Sequence, residues 1–149
     1  MEIILQEDPQ VDGIQVIIKF NQMDHEVTRL KTILDGFNAC MIVNDDGRKK
    51  MIHIGDIFYL ESVDKKTFVY CKEAVYQTDQ RLYQVLEDLQ GKGFIQISKS
   101  VILNMRTLDS VVPLLNRRLE VQLKNGEKVI ATRKYIHRIK HALEEGLYA

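Results

Sequence analysis

Apolar residues in this chain fall into short runs. Some alternate with polar neighbours and some return every third or fourth position, and the two rhythms separate strands from helices. Gly13 to Phe20 carries Ile14, Val16, Ile17 and Ile18, a β-branched stretch that predicts a strand. Asp24 stands where a helix N-cap is wanted, ahead of Val27, Leu30, Ile33 and Leu34 at helical spacing, and Gly36 is expected to stop that helix. Ala39 to Val43 then reads as a buried strand. A strand-helix-strand unit over residues 1–45 is too small to bury much apolar area alone, so it is expected to pack on the rest of the chain or on a second copy. That makes it a candidate dimerisation element. Asn44 to Lys50, with its Asn, Asp and Gly, is a turn signal, and a domain border is placed there, leaving residues 46–149 as the second unit.

The second unit is strand-rich. Asp56 to Glu61 and Thr67 to Cys71 flank the polar loop Ser62-Val63-Asp64-Lys65-Lys66, and Glu73 to Tyr76 follows as a short strand. Thr78 or Asp79 can cap a helix with Leu82, Val85, Leu86 and Leu89 on one face, ended by Gly91 and Gly93. Phe94 to Ile97 and Val101 to Leu103 are extended runs interrupted by Ser98-Lys99-Ser100. Leu119, Val121 and Leu123 alternate with polar residues up to Asn125-Gly126, and Val129 and Ala131 alternate after it, the strongest hairpin signal in the chain. Tyr135, Ile136, Ile139 and Leu143 mark a C-terminal helix closed by Gly146.

Composition narrows the class. In 149 residues, 45% hydrophobic and 28% charged, no apolar run approaches the roughly 20 residues of a bilayer span, and the acidic N-terminus lacks a basic leader, so the cytoplasm is the expected location. Cys40 and Cys71 are far apart in strand-like contexts and predict neither disulfide nor zinc. The net charge of zero hides a gradient. Residues 1–46 hold nine acids against three bases, and the remainder holds 18 bases against 12 acids, which points one part of the chain toward nucleic acid or another acidic partner.

Enzyme chemistry finds little footing. No glycine-rich loop leads into Lys-Ser or Lys-Thr, and Ser98 and Ser100 lack the glycines of a nucleophile elbow. His137 and His141 share a helical face, but a metal site there would need Glu144 or Glu145 as well, and two solvated histidines near a helix C-terminus are the preferred reading of the pair. No catalytic residue, metal or cofactor is assigned. The cations organise better: Lys65 and Lys66 lie between two strands, Lys99 between two more, and Arg133 and Lys134 where a hairpin meets a helix. Element junctions are where a rigid sheet can present side chains to a groove.

Taken in order, Asp56-Ile57, Tyr59, Glu61-Ser62, Tyr70, the Leu82, Leu86 and Leu89 helix, Phe94 to Asn104, Leu119, Val121, Leu123, Asn125-Gly126 and Thr132 to Tyr135 resemble the LytTR DNA-binding domain of bacterial transcription regulators. The resemblance covers about two-thirds of the chain. It implies an α+β, mostly β fold of small, elongated β-sheets with flanking helices, whose loops enter the major groove of double-stranded DNA, and a homodimer on paired sites. It implies DNA contacts at Lys65, Lys66, Ser98, Lys99, Arg133 and Lys134, Arg133 foremost for bases, with Asn104 bonding backbone. Some members carry His at the place of Ser98 and Arg or Asn at the place of Lys99. Many begin with a receiver domain, which 45 residues cannot hold. The competing reading is a non-catalytic ligand-sensing or protein-interaction module on the same scaffold.

Overall fold

The computed structural model of the chain describes residues 1–37 and 39–144. Residues 1–23 form neither helix nor strand. The strand expected over Gly13 to Phe20 is thus absent: no described segment pairs with it, and without a ladder partner its N–H and C=O groups are left to water. Helix α1 (His25–Phe37) starts as expected, with Asp24 Oδ1 accepting from the Val27 N–H at 3.0 Å. Gly36 does not stop it. This buried glycine lies within the helix, where a Cβ would stand 3.1 Å from both terminal guanidinium nitrogens of Arg106. Its missing side chain makes room for Arg106 rather than for a C-cap turn.

Strands β1 (Cys40–Asp45) and β2 (Arg48–His53) form a hairpin closed by the pair Asp45 and Arg48. Asp46 (φ 50°) and Gly47 (φ 84°) supply the two positive-φ positions that a two-residue turn requires. The border expected near residue 45 therefore falls in a tight turn, and β1 belongs to a sheet built mainly from later residues. Beyond a single turn of 3₁₀ helix follow β3 (Ile57–Val63), β4 (Lys66–Cys71), β5 (Val75–Thr78), α2 (Leu82–Leu89), β6 (Phe94–Ser98) and β7 (Val101–Asn104). The expected cap of α2 is displaced, because β5 runs through Thr78; the helix starts after Arg81, whose N–H donates to Gln84 Oε1 at 2.8 Å. Together the strands make a seven-stranded antiparallel sheet in the order β2-β1-β5-β4-β3-β7-β6.

A second sheet has the order β10-β9-β8, from β8 (Leu108–Leu114), β9 (Arg118–Leu123) and β10 (Lys128–Ala131), and α3 (Ile136–Glu144) packs beside β6. The sequence pattern left β8 unassigned. Gly146, expected to close α3, lies outside the described residues. Two apolar cores result. One gathers Met41, Val43, Leu60, Val69 and Ile102 under Val85 and Leu89 of α2; the other gathers Ile97, Leu103, Val121, Leu123 and Ile139 between the sheets and α3. Cys40, expected inside a buried strand, is exposed on β1 across from His53.

Candidate nucleic-acid interface

Antiparallel pairing decides where the cationic loops go. Val63 and Lys66 close the β3–β4 hairpin, Ser98 and Val101 close the β6–β7 hairpin, and Glu61 pairs with Val101, so both turns emerge at one end of the large sheet. The Ser62 N–H donates to the Ser100 carbonyl at 2.8 Å and ties the two turns together. Their centres are two strand steps apart, about 10 Å. The chain leaving β10 joins the same end, because the Thr132 N–H donates to the Ile97 carbonyl at 2.9 Å just before Arg133 and Lys134. Two backbone hydrogen bonds thus knit three distant stretches of sequence into one ridge.

On that ridge Lys65, Lys66, Lys99, Arg133 and Lys134 are exposed. Asp64 (φ 51°) and Lys65 (φ 66°) form the β3–β4 turn, with Lys65 in a region that a side-chain-bearing residue adopts at some cost. Lys99 heads its turn, where Gln96 Nε2 donates to the Lys99 carbonyl at 3.4 Å. Ser98 is different. Its side chain is buried, and its Oγ accepts from the Ser100 N–H at 3.3 Å, so it shapes the loop that displays Lys99. Arg133 and Lys134 sit on a 3₁₀ turn between Thr132 and α3. Lys99 and Lys134 line one open groove of about 610 Å³ together with Lys128, Tyr59, Glu61 and Tyr135.

The same sheet end carries cations that sequence reasoning passed over. Thr67 pairs with Thr78, which puts the C-terminal end of β5 here, and Asp79 just beyond it accepts a hydrogen bond from Lys49 of β2. Arg81 Nη1 donates to the Lys65 carbonyl at 3.4 Å. Lys49 Nζ lies 2.6 Å from Asp79 Oδ2, and that hydrogen bond holds the Asp79 carboxyl below its ordinary range. The usable signal was Asp46-Gly47, a hairpin turn dipeptide in front of a strand, obscured by the run of three bases that follows it.

Tyr59 of the groove wall stacks on Tyr70 with centroids 4.3 Å apart and planes 8° from parallel, and the Tyr70 hydroxyl donates to Glu61 Oε1 at 3.5 Å. Burial pushes the Tyr59 phenol up, and the charge of Glu127 adds to it; Tyr70 is raised by burial and then by Glu61. Both rings therefore stay neutral donors. Among the described residues no three His, Cys, Asp or Glu side chains gather as a metal set, and His137 and His141 are both exposed on α3. No described helix is long and apolar enough to cross a membrane.

Two antiparallel sheets that present cationic turns along one end, with a groove walled by Lys, Tyr and Glu, define a loop-presenting β-scaffold of the binding-module class. The profile of the LytTr DNA-binding domain matches residues 47–144. The chain belongs to this DNA-binding family, which is not an enzyme family. Over 101 residues it is 26% identical to the sensory transduction protein LytT of Enterococcus faecalis, covering 68% of this chain and 42% of that protein. Over 93 residues it is 28% identical to an HTH-type transcriptional regulator of Staphylococcus aureus, 62% of this chain and 63% of that one. The chain thus spans less than half of LytT and under two-thirds of the second relative. A LytTr DNA-binding domain from a Bacillus cereus response regulator superposes with TM-score 0.66 at 22% identity, over 71% of this chain and 97% of that domain. That likeness establishes the mostly β LytTr fold.

Proposed function

We propose that this chain is a sequence-specific regulator of transcription that acts in the cytoplasm as a homodimer on double-stranded DNA. In this reading residues 46–149 are the DNA-binding unit, its loops enter the major groove, and the N-terminal part holds the dimer. The observation that carries the reading is the ridge: the Ser62–Ser100 and Thr132–Ile97 hydrogen bonds gather Lys65, Lys66, Lys99, Arg133 and Lys134 at one sheet end. Arg133, whose guanidinium can pair bidentately with a guanine edge, serves base recognition; Lys65, Lys66, Lys99 and Lys134 neutralise phosphate. Ser98 acts by holding the Lys99 turn. A ligand-sensing module would need an apolar pocket, whereas the groove here is open to solvent and carries Lys99, Lys128 and Lys134.

A shift assay across a salt series tests the proposal. With about six phosphates neutralised, log affinity falls against log salt with a slope near −5. Arg133→Ala should lower discrimination between specific and random duplex by about 1–3 kcal/mol, while Lys66→Ala weakens both alike and makes the slope shallower by about 1. Equal loss on both duplexes for Arg133→Ala removes the base-contact assignment, and a slope of zero removes the DNA reading.

A further inference from the structure

Half of the exposed large apolar side chains among the described residues lie in residues 1–23. Within this arm Ile14, Val16, Ile18 and Phe20 recur at every second position, and Ile14 and Ile17 are 90% and 70% exposed. A β-branched stretch of period two with unpaired backbone has the chemistry of a strand that lacks a sheet, and an open sheet edge supplies what it lacks.

Among the described residues four strands lie at sheet ends. β6 and β10 are drawn together by the Thr132–Ile97 bond next to them, which leaves the outer edges of β2 and β8. β8 carries Asp109 and Pro113, the kind of residue that guards an edge. β2 carries Arg48, Lys49 and Lys50 and no acid, and the arm, residues 1–24, holds five acids against one base. In a two-residue hairpin the closing pair exchanges both hydrogen bonds, so Arg48, Lys50 and Ile52 bond inward to β1, while Lys49, Met51 and His53 turn their N–H and C=O groups to the open side. Met51 and its cross-strand neighbour Ile42 are both exposed, an apolar landing patch beside that edge. A single copy does not seat the arm on its own β2, although it contains both.

We infer that residues 14–20 of one copy add as an extra strand to the β2 edge of a second copy and receive that copy's arm in return, closing a two-fold homodimer. This rests on the homodimer half of the proposed function and not on its DNA half. The test is sedimentation velocity on the full chain without DNA, over a concentration series at low and high salt. The arm variant is Val16→Pro with Ile18→Pro. The edge variant is Met51→Pro, whose lost N–H faces outward, where proline is tolerated; Lys49→Glu with Lys50→Glu replaces it should circular dichroism show Met51→Pro unfolded. Each variant alone should dimerise at least about tenfold more weakly. Their equimolar mixture should recover a one-to-one heterodimer, because one brings an intact arm and the other an intact edge, and high salt should weaken the wild-type dimer. An edge variant that self-associates like wild type, or a mixture that recovers nothing, overturns the exchange. A wild-type chain monomeric at every concentration overturns the homodimer itself, while the shift assay on a single half-site still judges DNA binding separately.

Discussion

Asn104 has its backbone and side chain committed in the interior. Its Nδ2 donates to the Ile57 carbonyl at 2.8 Å, its Oδ1 accepts from the Arg106 N–H at 3.1 Å, and its carbonyl accepts from Thr107 Oγ1 at 2.7 Å. A single polar residue after Val101-Ile102-Leu103 reads in sequence as a backbone-bonding residue, and the structure agrees. Asn104→Ala strands the Ile57 carbonyl and the Arg106 N–H, so we expect a loss of about 1–3 kcal/mol in urea unfolding, with the slope against denaturant unchanged. Ser98 was less legible: its burial and its bond from the Ser100 N–H are tertiary properties that a hydroxyl before an exposed lysine does not announce. Gly36 was misread for the same reason, since the neighbour it accommodates, Arg106, lies 70 positions away in the chain. The stacked tyrosines offer a titration. Their folded phenols hold the proton above the ordinary value of 10, so their contribution to stability is whole below that pH and is lost as pH rises through the raised value. Tyr59 and Tyr70 should therefore ionise above pH 10 in an ultraviolet titration, and Tyr59→Phe should lessen the alkaline fall in stability.

The hairpin turns show how far local chemistry reaches. Asn125-Gly126 was the clearest signal and does turn the chain, yet only Gly126 has positive φ, at 90°, while Asn125 Oδ1 accepts from the Glu127 N–H at 3.0 Å. The turns with two positive-φ residues are Asp46-Gly47, Asp64-Lys65 and Asn116-Arg117. The first reads in sequence as a turn but not as a hairpin, because the run of charge after it masks β2, and the other two carry no glycine to announce them. β8 escaped notice because Leu108, Asp109, Ser110, Val111, Val112 and Pro113 do not alternate, a consequence of the register shift between Leu108 and Ser110 where it meets β9. Lys65 sits in the left-handed region on the proposed DNA ridge, so shape and charge pull in opposite directions there. Lys65→Gly relieves the backbone and removes a cation. We expect the thermal midpoint to hold or rise, and the salt slope of DNA binding to become shallower by about 1. A stability loss with an unchanged slope would place Lys65 in the fold rather than on the ridge.

At the scale of the molecule the decisive element is β7, buried along its whole length. Ile102 faces the core under α2, and Val101 and Leu103 face the core shared by the second sheet and α3, so one short strand is common to both. The sequence announced this only as an unbroken apolar run, since a strand covered on both faces has no alternation to display. The consequence for function is that the ridge depends on both cores at once: β3 and β7 set the spacing between the Lys65 and Lys99 turns, and the second core sets where Thr132 meets Ile97. If the two cores were independent, a cavity in one would loosen its own loop and spare the other. With β7 shared, Leu103→Ala should cost about 2–5 kcal/mol, in the range of buried Leu truncations. Far-ultraviolet circular dichroism and tyrosine fluorescence should report the same urea midpoint for this variant, since a common strand makes the two halves unfold together. Separate midpoints would show two units joined by a passive seam. In that case the spacing between Lys99 and Arg133 would no longer be fixed by the fold, and base discrimination by Arg133 would have to come from DNA-induced docking of one unit on the other.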